Sequence, residues 1–526
     1  MSGSVRRFVA GEGAGSDVET ARVRKAGTRL PALAGVVGIA LAFRLWTLDE
    51  FPRQLLGDAF QNWHIAWNLL QGHGYSHSLA PPYVADCCRT PGYPLFVAAL
   101  FRIAGPSCGF VYRAQIVLDT LTTLLVFRLA RGFGLRRGAL AAALLYASSP
   151  LASAFTGQLL SETLSTFLLT ALAVTARGGL ASLRGDARAA TGGLLAGAAV
   201  LARPAVVAPA VGGLLLLAAS WQPEAGTGTR PGGSVGQAGD VRAGDGDTRN
   251  VRAGDGDAGR RGPRRAGRAG ASAALLALAV FACVIAPWMW RNERVADRPT
   301  PFSLISGVNL WNLVAHTASP PLTSRGKAQY AVYVRNFGSD PDVTPREALA
   351  ADDVLRADAL TAIARHPFAY LREVARNLAR LWWNGDNECI ENPRDWNNVS
   401  TRVHYARATA MAGRALLLLA LLGTVQALRR LVRDGRTSEG AEGPSAPRSG
   451  AERVNAHGVV IALCFLALAS SVIVVDVHAR YALPILPWLC LLAGFAFDSG
   501  IARGQEGRRR EQSQERSPRV PAPCSS

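Results

Sequence analysis

The chain has 526 residues, 49% apolar and only 18% charged, where a soluble domain carries about 25% charge. The charge is concentrated in short dense runs between long stretches that have almost none, which excludes both an ordinary soluble enzyme and a wholly disordered chain. The formal net charge is +19, and all but two of the 57 basic residues (Lys25 and Lys327) are arginine.

A nucleic-acid partner would need those arginines gathered on one folded face. They lie instead in tails and in loops between apolar segments, the pattern of orientation signals in a membrane protein, so no nucleic-acid partner is expected. The eight cysteines form no CxxC and no Cys/His spacing suited to a metal. No disulfide scaffold and no Cys/His metal site is therefore expected; no cofactor is expected either. Residues 1–28 are polar and basic, and the apolar stretch after them lacks a small-residue cleavage site, so they read as a cytoplasmic basic tail and not as a signal peptide.

A membrane helix needs about 20 mostly apolar residues. On that criterion candidate spans fall at 30–48, 111–129, 139–155, 159–175, 191–220, 271–290, 408–428, 457–475 and 481–497. The stretch 191–220 is interrupted by Arg203-Pro204, and proline ends a helix interior. Read as two short spans, it brings the total to about ten. It then also puts the arginine-dense connections 131–137, 177–188, 221–270, 429–436 and the tail after Arg503 on the same side as the N-terminus. The expectation is an all-α polytopic membrane protein in the cell membrane, with both termini cytoplasmic. It has an N-terminal module at 29–220, a C-terminal module at 271–500 and a tail at 501–526.

Two long segments fall outside, at about 49–110 and 291–407, too long to be mere connections. Within the first, 94–103 is apolar but too short to span, and suits a helix in the interface. Within the second, 367–383 has Phe368, Leu371, Val374, Leu378 and Leu381 at helical spacing, with Arg372, Arg376 and Arg380 on another face. That amphipathic helix lies in the headgroup region or packs on a small outer core. The loop 221–270 repeats Val-Arg-Ala-Gly-Asp-Gly-Asp and cannot build a core, so it reads as disordered. Its Asp245-Gly-Asp247 matches a metal-holding DxD pattern only by repetition. Asn398-Val-Ser400 matches a glycosylation acceptor with nothing to support it.

Charged groups at membrane depth are costly and usually functional. In this topology Asp58, Arg89, Glu162, Arg203, Arg291, Asn292, Asp476, His478 and Arg480 all fall near the outer surface, although they come from well-separated parts of the chain. Their convergence predicts an outward-facing polar cavity at the ends of several helices. Taken singly, each has a structural reading: the arginines as snorkelling side chains, Glu162 as a first-turn acid, Asp58 as a helix cap, His478 as a structural histidine. Outer Cys87, Cys88, Cys108 and Cys389 allow three pairings if all are bonded.

Three stretches in order carry a resemblance. The first is Gly57-Asp58-Ala59, followed by Gly72-His-Gly74-Tyr75 and Arg89-Thr-Pro-Gly-Tyr-Pro-Leu-Phe96. The second is Leu159-Leu-Ser-Glu-Thr163. The third is Pro287-Trp-Met-Trp-Arg-Asn292, with Ser306-Gly-Val-Asn-Leu-Trp311 and Arg480-Tyr-Ala-Leu-Pro-Ile-Leu-Pro487. Over about 29–500 the chain resembles the GT-C membrane glycosyltransferases of the protein O-mannosyltransferase and lipid A aminoarabinose transferase type. The resemblance implies the GT-C fold, an extracytoplasmic catalytic pocket, a polyprenyl-monophosphate sugar donor and no metal. It also implies a catalytic acid in the first outer loop, here Asp58. The chain departs from the aminoarabinose transferases where they carry Glu-Lys-Pro, having Arg89-Thr90-Pro91 instead. On this reading Asp58 is the base, Arg203, Arg291, Arg480 and Arg89 bind the donor phosphate, and Glu162, His478, Asn309 and Tyr93 line the substrate site. The acceptor is a protein, glycolipid or polysaccharide at the bilayer surface. The alternatives are a transporter or lipid flippase, for which Arg44, Gln115 and Asp119 supply mid-span polar groups, and a noncatalytic envelope-assembly protein that keeps the fold.

Overall fold

The computed structural model describes residues 29–50, 57–178, 185–220, 262–297, 306–315, 323–337, 342–379, 399–439 and 479–498, with Leu55 and Asp340. Every regular element among them is helical: α1 (Arg29–Glu50), α2 (Asp58–Leu70), α3 (Gly92–Ala104), α4 (Cys108–Gly132), α5 (Gly138–Ala147), α6 (Pro150–Thr156), α7 (Glu162–Ala176), α8 (Gly185–Ala202), α9 (Val207–Ala219), α10 (Gly262–Ala296), α11 (Ser306–Ala315), α12 (Ser324–Phe337), α13 (Pro345–Arg365), α14 (Pro367–Ala379) and α15 (Val399–Glu439). The last, α16 (Arg480–Asp498), opens on the 3-10 helix Ala479–Ile485.

Five of these helices are long and apolar enough to cross a bilayer: α1, α4, α10, α15 and α16. The expected span at 139–155 is a bent pair, α5 and α6, turned by 49°. Ser149 causes the break. Its hydroxyl caps α6 by accepting from the Ala152 N–H, and Pro150 occupies the first turn, where its missing N–H costs nothing. The expected pair at 191–220 is α8 and α9, separated at Arg203-Pro204 as the proline requires. The helix Glu162–Ala176 and the segment Pro204–Ala219 are apolar but shorter than a span. By length the described residues thus hold five spans, or six with the bent pair, where about ten were expected. The candidate at 457–475, the tails and the 221–261 loop lie outside the described residues.

Small residues let the helices meet closely. A Cβ on Gly193 would stand 2.2 Å from the Ala277 carbonyl oxygen, and one on Gly197 2.8 Å from Val284. One turn apart on α8, the two glycines bring its backbone against α10, the small-xxx-small contact that membrane helices use in place of a hydrophobic driving force. The main core runs through Phe101, Val111, Ile116, Val126, Tyr146, Phe155 and Trp488. A smaller core of Val308, Trp311, Leu355 and Ala359 holds α11 to α13.

The mid-span polar groups pair with one another, leaving only Arg44 Nη2 of the guanidinium without a partner among the described residues. Arg44 pairs with Asp119 and donates to the carbonyls of Ala40 (3.0 Å) and Ala147 (2.8 Å). Tyr146 donates to the other Asp119 oxygen at 2.6 Å. The carbonyl of Ala147 is the one that the α5–α6 break leaves without a helical partner, so the buried arginine seals that break. The feature that favoured a transporter therefore has a packing explanation.

The two interface helices differ. Helix α3 buries Tyr93, Val97 and Phe101 while Leu95 and Ile103 stay exposed, so it packs inward and presents apolar groups outward. In α14 the buried residues are Glu373 and Asn377, whereas Phe368 and Leu371 are 84% and 57% exposed. These two apolar residues face away from the protein while Val374 is half-buried, and the side chain of Leu378, with Arg380 and Leu381, lies outside the described residues. That placement favours the surface reading of this helix over the outer-core one.

Candidate active site

At one end of the bundle, five charged side chains from five elements form a continuous network. Gly57, with φ +55°, turns the chain into α2 and places Asp58 on its first residue. The Asp58 carboxylate does not cap the helix. One of its oxygens takes the Arg89 guanidinium, and the other accepts from Arg480 Nη1 at 2.7 Å. Arg480, at the mouth of α16, also stands 3.7 Å from Glu162 Oε1. Glu162 opens α7, where a first-turn acid suits the helix dipole, and it accepts from Arg203 Nη1 at 2.6 Å. Arg203 sits at the α8 break and lies 4.8 Å over the Tyr481 ring. The order is Arg89–Asp58–Arg480–Glu162–Arg203, three guanidiniums to two carboxylates, which leaves an excess of one positive charge.

Depth varies along this chain. The Glu162 side chain is 1% exposed, Arg203 10% and Asp58 22%, so the open end is at Asp58. Glu162 Oε2 and Nε of both Arg203 and Arg480 are buried without a hydrogen-bond partner. These three atoms lie in the same network and leave it with donor and acceptor capacity that a water or a ligand can meet.

Burial alone would raise the Asp58 carboxyl; the Arg89 and Arg480 guanidiniums outweigh it and hold it well below the usual carboxylate range. Arg89 is held by more than its charge. Its Nε donates to Gln61 Oε1 at 2.7 Å, its backbone N–H to Asp86 Oδ1 at 2.8 Å, and its guanidinium lies 5.7 Å over the Phe337 ring.

Arg291 is near the end of α10 and belongs to a neighbouring knot. It lies 5.2 Å over Tyr75 and 4.8 Å over Trp288 and donates to the Asp86 carbonyl at 2.5 Å and the Tyr75 carbonyl at 3.4 Å. Asp86 itself pairs with His77 Nδ1 at 2.5 Å. Burial would lower the His77 pKa, but the Asp86 hydrogen bond and charge raise it above its ordinary value. Arg291 thus secures the loop that presents Arg89 and meets the network only through that loop.

The segments 57–104 and 306–337 close on one another here. His77 Nε2 lies 3.0 Å from the Asn336 carbonyl oxygen, and Gln61 Nε2 donates to the Phe337 carbonyl at 2.9 Å. Asn336 Nδ2 also contacts Cys88 Sγ at 3.1 Å. The last carbonyls of α12, which a helix end leaves unsatisfied, are thereby met by side chains of the first segment.

Of the residues expected from sequence, Asp58, Arg89, Arg203, Arg480 and Glu162 come together. Tyr93 does not reach substrate space: it is 1% exposed, and its hydroxyl donates to Gln115 at 2.9 Å. The Gln115 amide donates in turn to the carbonyls of Thr156 (3.0 Å) and Gln158 (2.7 Å), so Tyr93 supports the loop that leads into Glu162. Asn309 is half-buried within α11, the helix whose first turn is anchored by Asp352 through the Gly307 and Val308 N–H groups; no described contact joins it to the network. His478 and Cys389 lie outside the described residues. Cys87, Cys88 and Cys108 form no disulfide among the described residues, and burial pushes the Cys87 thiol up to about 11. Among the described residues no cluster of His, Cys, Asp or Glu suits a metal ion.

Gln61, His77, Asp86, Asn336 and Phe337 were not singled out from sequence. The spacing of Tyr330, Tyr333 and Phe337 marks one helical face, but nothing in it names the surface that the face meets.

No protein-family model and no curated protein matches the chain. Among solved structures, it is similar to the oligosaccharyltransferase AglB of Archaeoglobus fulgidus in complex with an inhibitory peptide and a dolichol-phosphate, at 13% identity and a TM-score of 0.48, over 95% of this chain and 53% of that one. The same organism's oligosaccharyltransferase tethered to an acceptor peptide aligns at 14% identity and a TM-score of 0.48, over 94% and 52%. ArnT from Cupriavidus metallidurans bound to undecaprenyl phosphate aligns at 14% identity and a TM-score of 0.35, over 93% and 81%. The chain spans about half the length of the archaeal enzymes that it matches.

Proposed function

We propose that the protein is a membrane glycosyltransferase that moves a sugar from a polyprenyl-monophosphate donor to an acceptor at the extracytoplasmic face. The observation that carries this reading is the Asp58 carboxylate held between Arg89 and Arg480 and continued through Glu162 to Arg203, at the ends of apolar helices. A lipid-borne phosphate presents its scissile bond at that depth. The arrangement contains both things that glycosyl transfer to a phosphate leaving group needs, a carboxylate for the acceptor proton and fixed cations for the departing charge.

The acceptor hydroxyl oxygen attacks the anomeric carbon and its proton passes to Asp58. The bond between the anomeric carbon and the phosphate oxygen breaks, and the polyprenyl phosphate leaves with an added negative charge. Arg480 and Arg203 stabilise that charge, their unpartnered Nε groups being the available donors. One accessible carboxylate implies a single displacement with inversion at the anomeric carbon.

A carboxylate paired with two guanidiniums is a weak base at rest. A phosphate that competes for Arg480 removes part of that stabilisation, so donor binding itself restores basicity to Asp58. Glu162 acts as a positioning residue: it fixes Arg203 and limits how far Arg480 can move. Arg291 holds the Arg89 loop.

The test is transfer in proteoliposomes from radiolabelled sugars on polyprenyl monophosphate, offered beside sugar nucleotides. Transfer from the lipid donor alone, with inverted configuration, is the expected result. Transfer from sugar nucleotides, or retained configuration, contradicts the proposal.

A further inference from the structure

An aromatic row runs across the outer segment and ends at the catalytic pair. Trp311 stacks on Tyr330 with centroids 4.9 Å apart and planes inclined by 20°. Tyr330 to Tyr333 and Tyr333 to Phe337 are each 5.9 Å, at 32° and 39°. The last ring lies under the Arg89 guanidinium at 5.7 Å, and Arg89 grips Asp58. Spacings of three and four put Tyr330, Tyr333 and Phe337 on one face of α12. The inner end of the row is fixed: Trp311 is 6% exposed, and its indole N–H donates to Asp358 at 3.0 Å. The other three rings are only half-buried, so part of each remains reachable.

Phe337 is the ring nearest the Arg89–Asp58 pair, and Tyr333, the next ring at 5.9 Å, is the nearest that carries a hydroxyl. Burial pushes its phenol up, and the charges of Arg89 and Asp58 both act on it. Its hydroxyl has no hydrogen-bond partner among the described residues. A phenol beside a carboxylate and a guanidinium, without a partner of its own, is placed to bond a hydroxyl that arrives with substrate.

Resting on the glycosyltransferase reading, we infer that Tyr330, Tyr333 and Phe337 form the acceptor subsite and that the acceptor is a saccharide. A pyranose or furanose ring has an apolar C–H face and a polar hydroxyl rim. The π face of an aromatic ring, negative at its centre, receives the first, and the Tyr333 hydroxyl receives the second. A row of rings is suited to consecutive sugar units, whereas it offers a peptide no run of backbone donors. The donor phosphate belongs to the opposite side of Asp58, where Arg480 and Arg203 stand at the helix ends. The row lies on the outer-segment side, past Arg89. Acceptor and donor thus approach Asp58 from different directions, as in-line displacement requires.

The experiment has two arms, both on the full-length protein in lipid nanodiscs. In the first, short oligomers of mannose, galactose, glucose, N-acetylglucosamine and arabinofuranose are titrated without donor, and binding is read from tryptophan fluorescence and by calorimetry. One of them is expected to bind. Tyr330→Ala and Tyr333→Ala should weaken that binding at least tenfold, while Tyr333→Trp, which keeps a stacking face, should retain most of it. In the second arm, transfer to the same oligomer should show a raised acceptor KM in both alanine variants with the donor KM unchanged. If the folded wild type binds none of the oligomers, or if both alanine variants bind as the wild type does, the inference is overturned. A rise in donor KM alone overturns it as well. Failure of the glycosyltransferase reading is a separate result: saccharide binding through the row with no transfer from any lipid-linked donor.

Discussion

Asp58 stays ionised at any pH that the protein meets, because Arg89 and Arg480 hold its carboxyl well below the usual carboxylate range. A depressed carboxyl contributes stability that is present above its unfolded value of about 4 and lost only as pH falls through the lower folded value. The pH profile of kcat/KM for the donor, which reports the free enzyme, should therefore show no acid limb from Asp58 down to about pH 5; a limb there that Asp58→Asn removes would contradict the clamp. His77 behaves in the opposite sense. Its folded pKa is raised above the ordinary 6.5, so its contribution is complete below 6.5 and declines as pH rises through the raised value. The groups that face it are Asp86, the Asn336 carbonyl and Arg89. Thermal stability should fall on the alkaline side of neutrality, and His77→Gln should flatten that slope while lowering stability at pH 6. Arg89→Lys should cost at least about tenfold in kcat/KM, because one ammonium cannot serve Asp58, Gln61 and the Phe337 ring in the directions that the guanidinium fork serves.

Packing between helices sets where these side chains stand. A Cβ on Gly92, the first residue of α3, would meet the Ala202 nitrogen at 2.5 Å and the Leu201 carbonyl carbon at 2.6 Å. Both contacts are backbone and cannot give way. Gly92→Val should therefore push α3 from the end of α8, separate Arg89 from Arg203 and reduce transfer by about a hundredfold, in line with the cost of misplacing catalytic groups by about an ångström. Wild-type transfer in that variant would show that the corner is not rigid. Asp119→Asn tests packing away from the site: it leaves Arg44 buried without a counter-charge and should cost about 3–5 kcal/mol in stability, while the donor and acceptor KM of the folded fraction stay as they were. At this level the sequence was informative where a residue type decides the backbone. Pro204 announced the α8–α9 break, and the length of the 94–103 stretch excluded a span. Pro150 was legible too, but its serine cap, and hence the 49° bend that turns the expected 139–155 span into α5 and α6, depends on a local hydrogen bond. The outward placement of Phe368 and Leu371 on α14 was legible as periodicity, though not in direction, because the two would read identically facing a core.

Among the described residues the site is closed where two segments distant in sequence meet. Asp58, Gln61, His77 and Arg89 come from the first, while Asn336 and Phe337 close it from the second. Topology predicted the convergence of Asp58, Arg89, Glu162, Arg203 and Arg480, since charges at helix ends on one side are brought to one surface. It could not say which would touch: Tyr93, expected at substrate, bonds Gln115 instead, and Asn309 makes no described contact with the network. The contacts made through backbone carbonyls of α12 were invisible in sequence, because a carbonyl carries no residue identity. The central claim is that Asp58 takes the acceptor proton within an arginine clamp built for a lipid-linked phosphate. The most direct measurement is transfer from polyprenyl-monophosphate sugars in proteoliposomes by wild type and Asp58→Asn, with the variant's fold checked by thermal unfolding. The account predicts that the variant stays folded and loses at least about a hundredfold in rate. A folded variant that transfers sugar at the wild-type rate would contradict it.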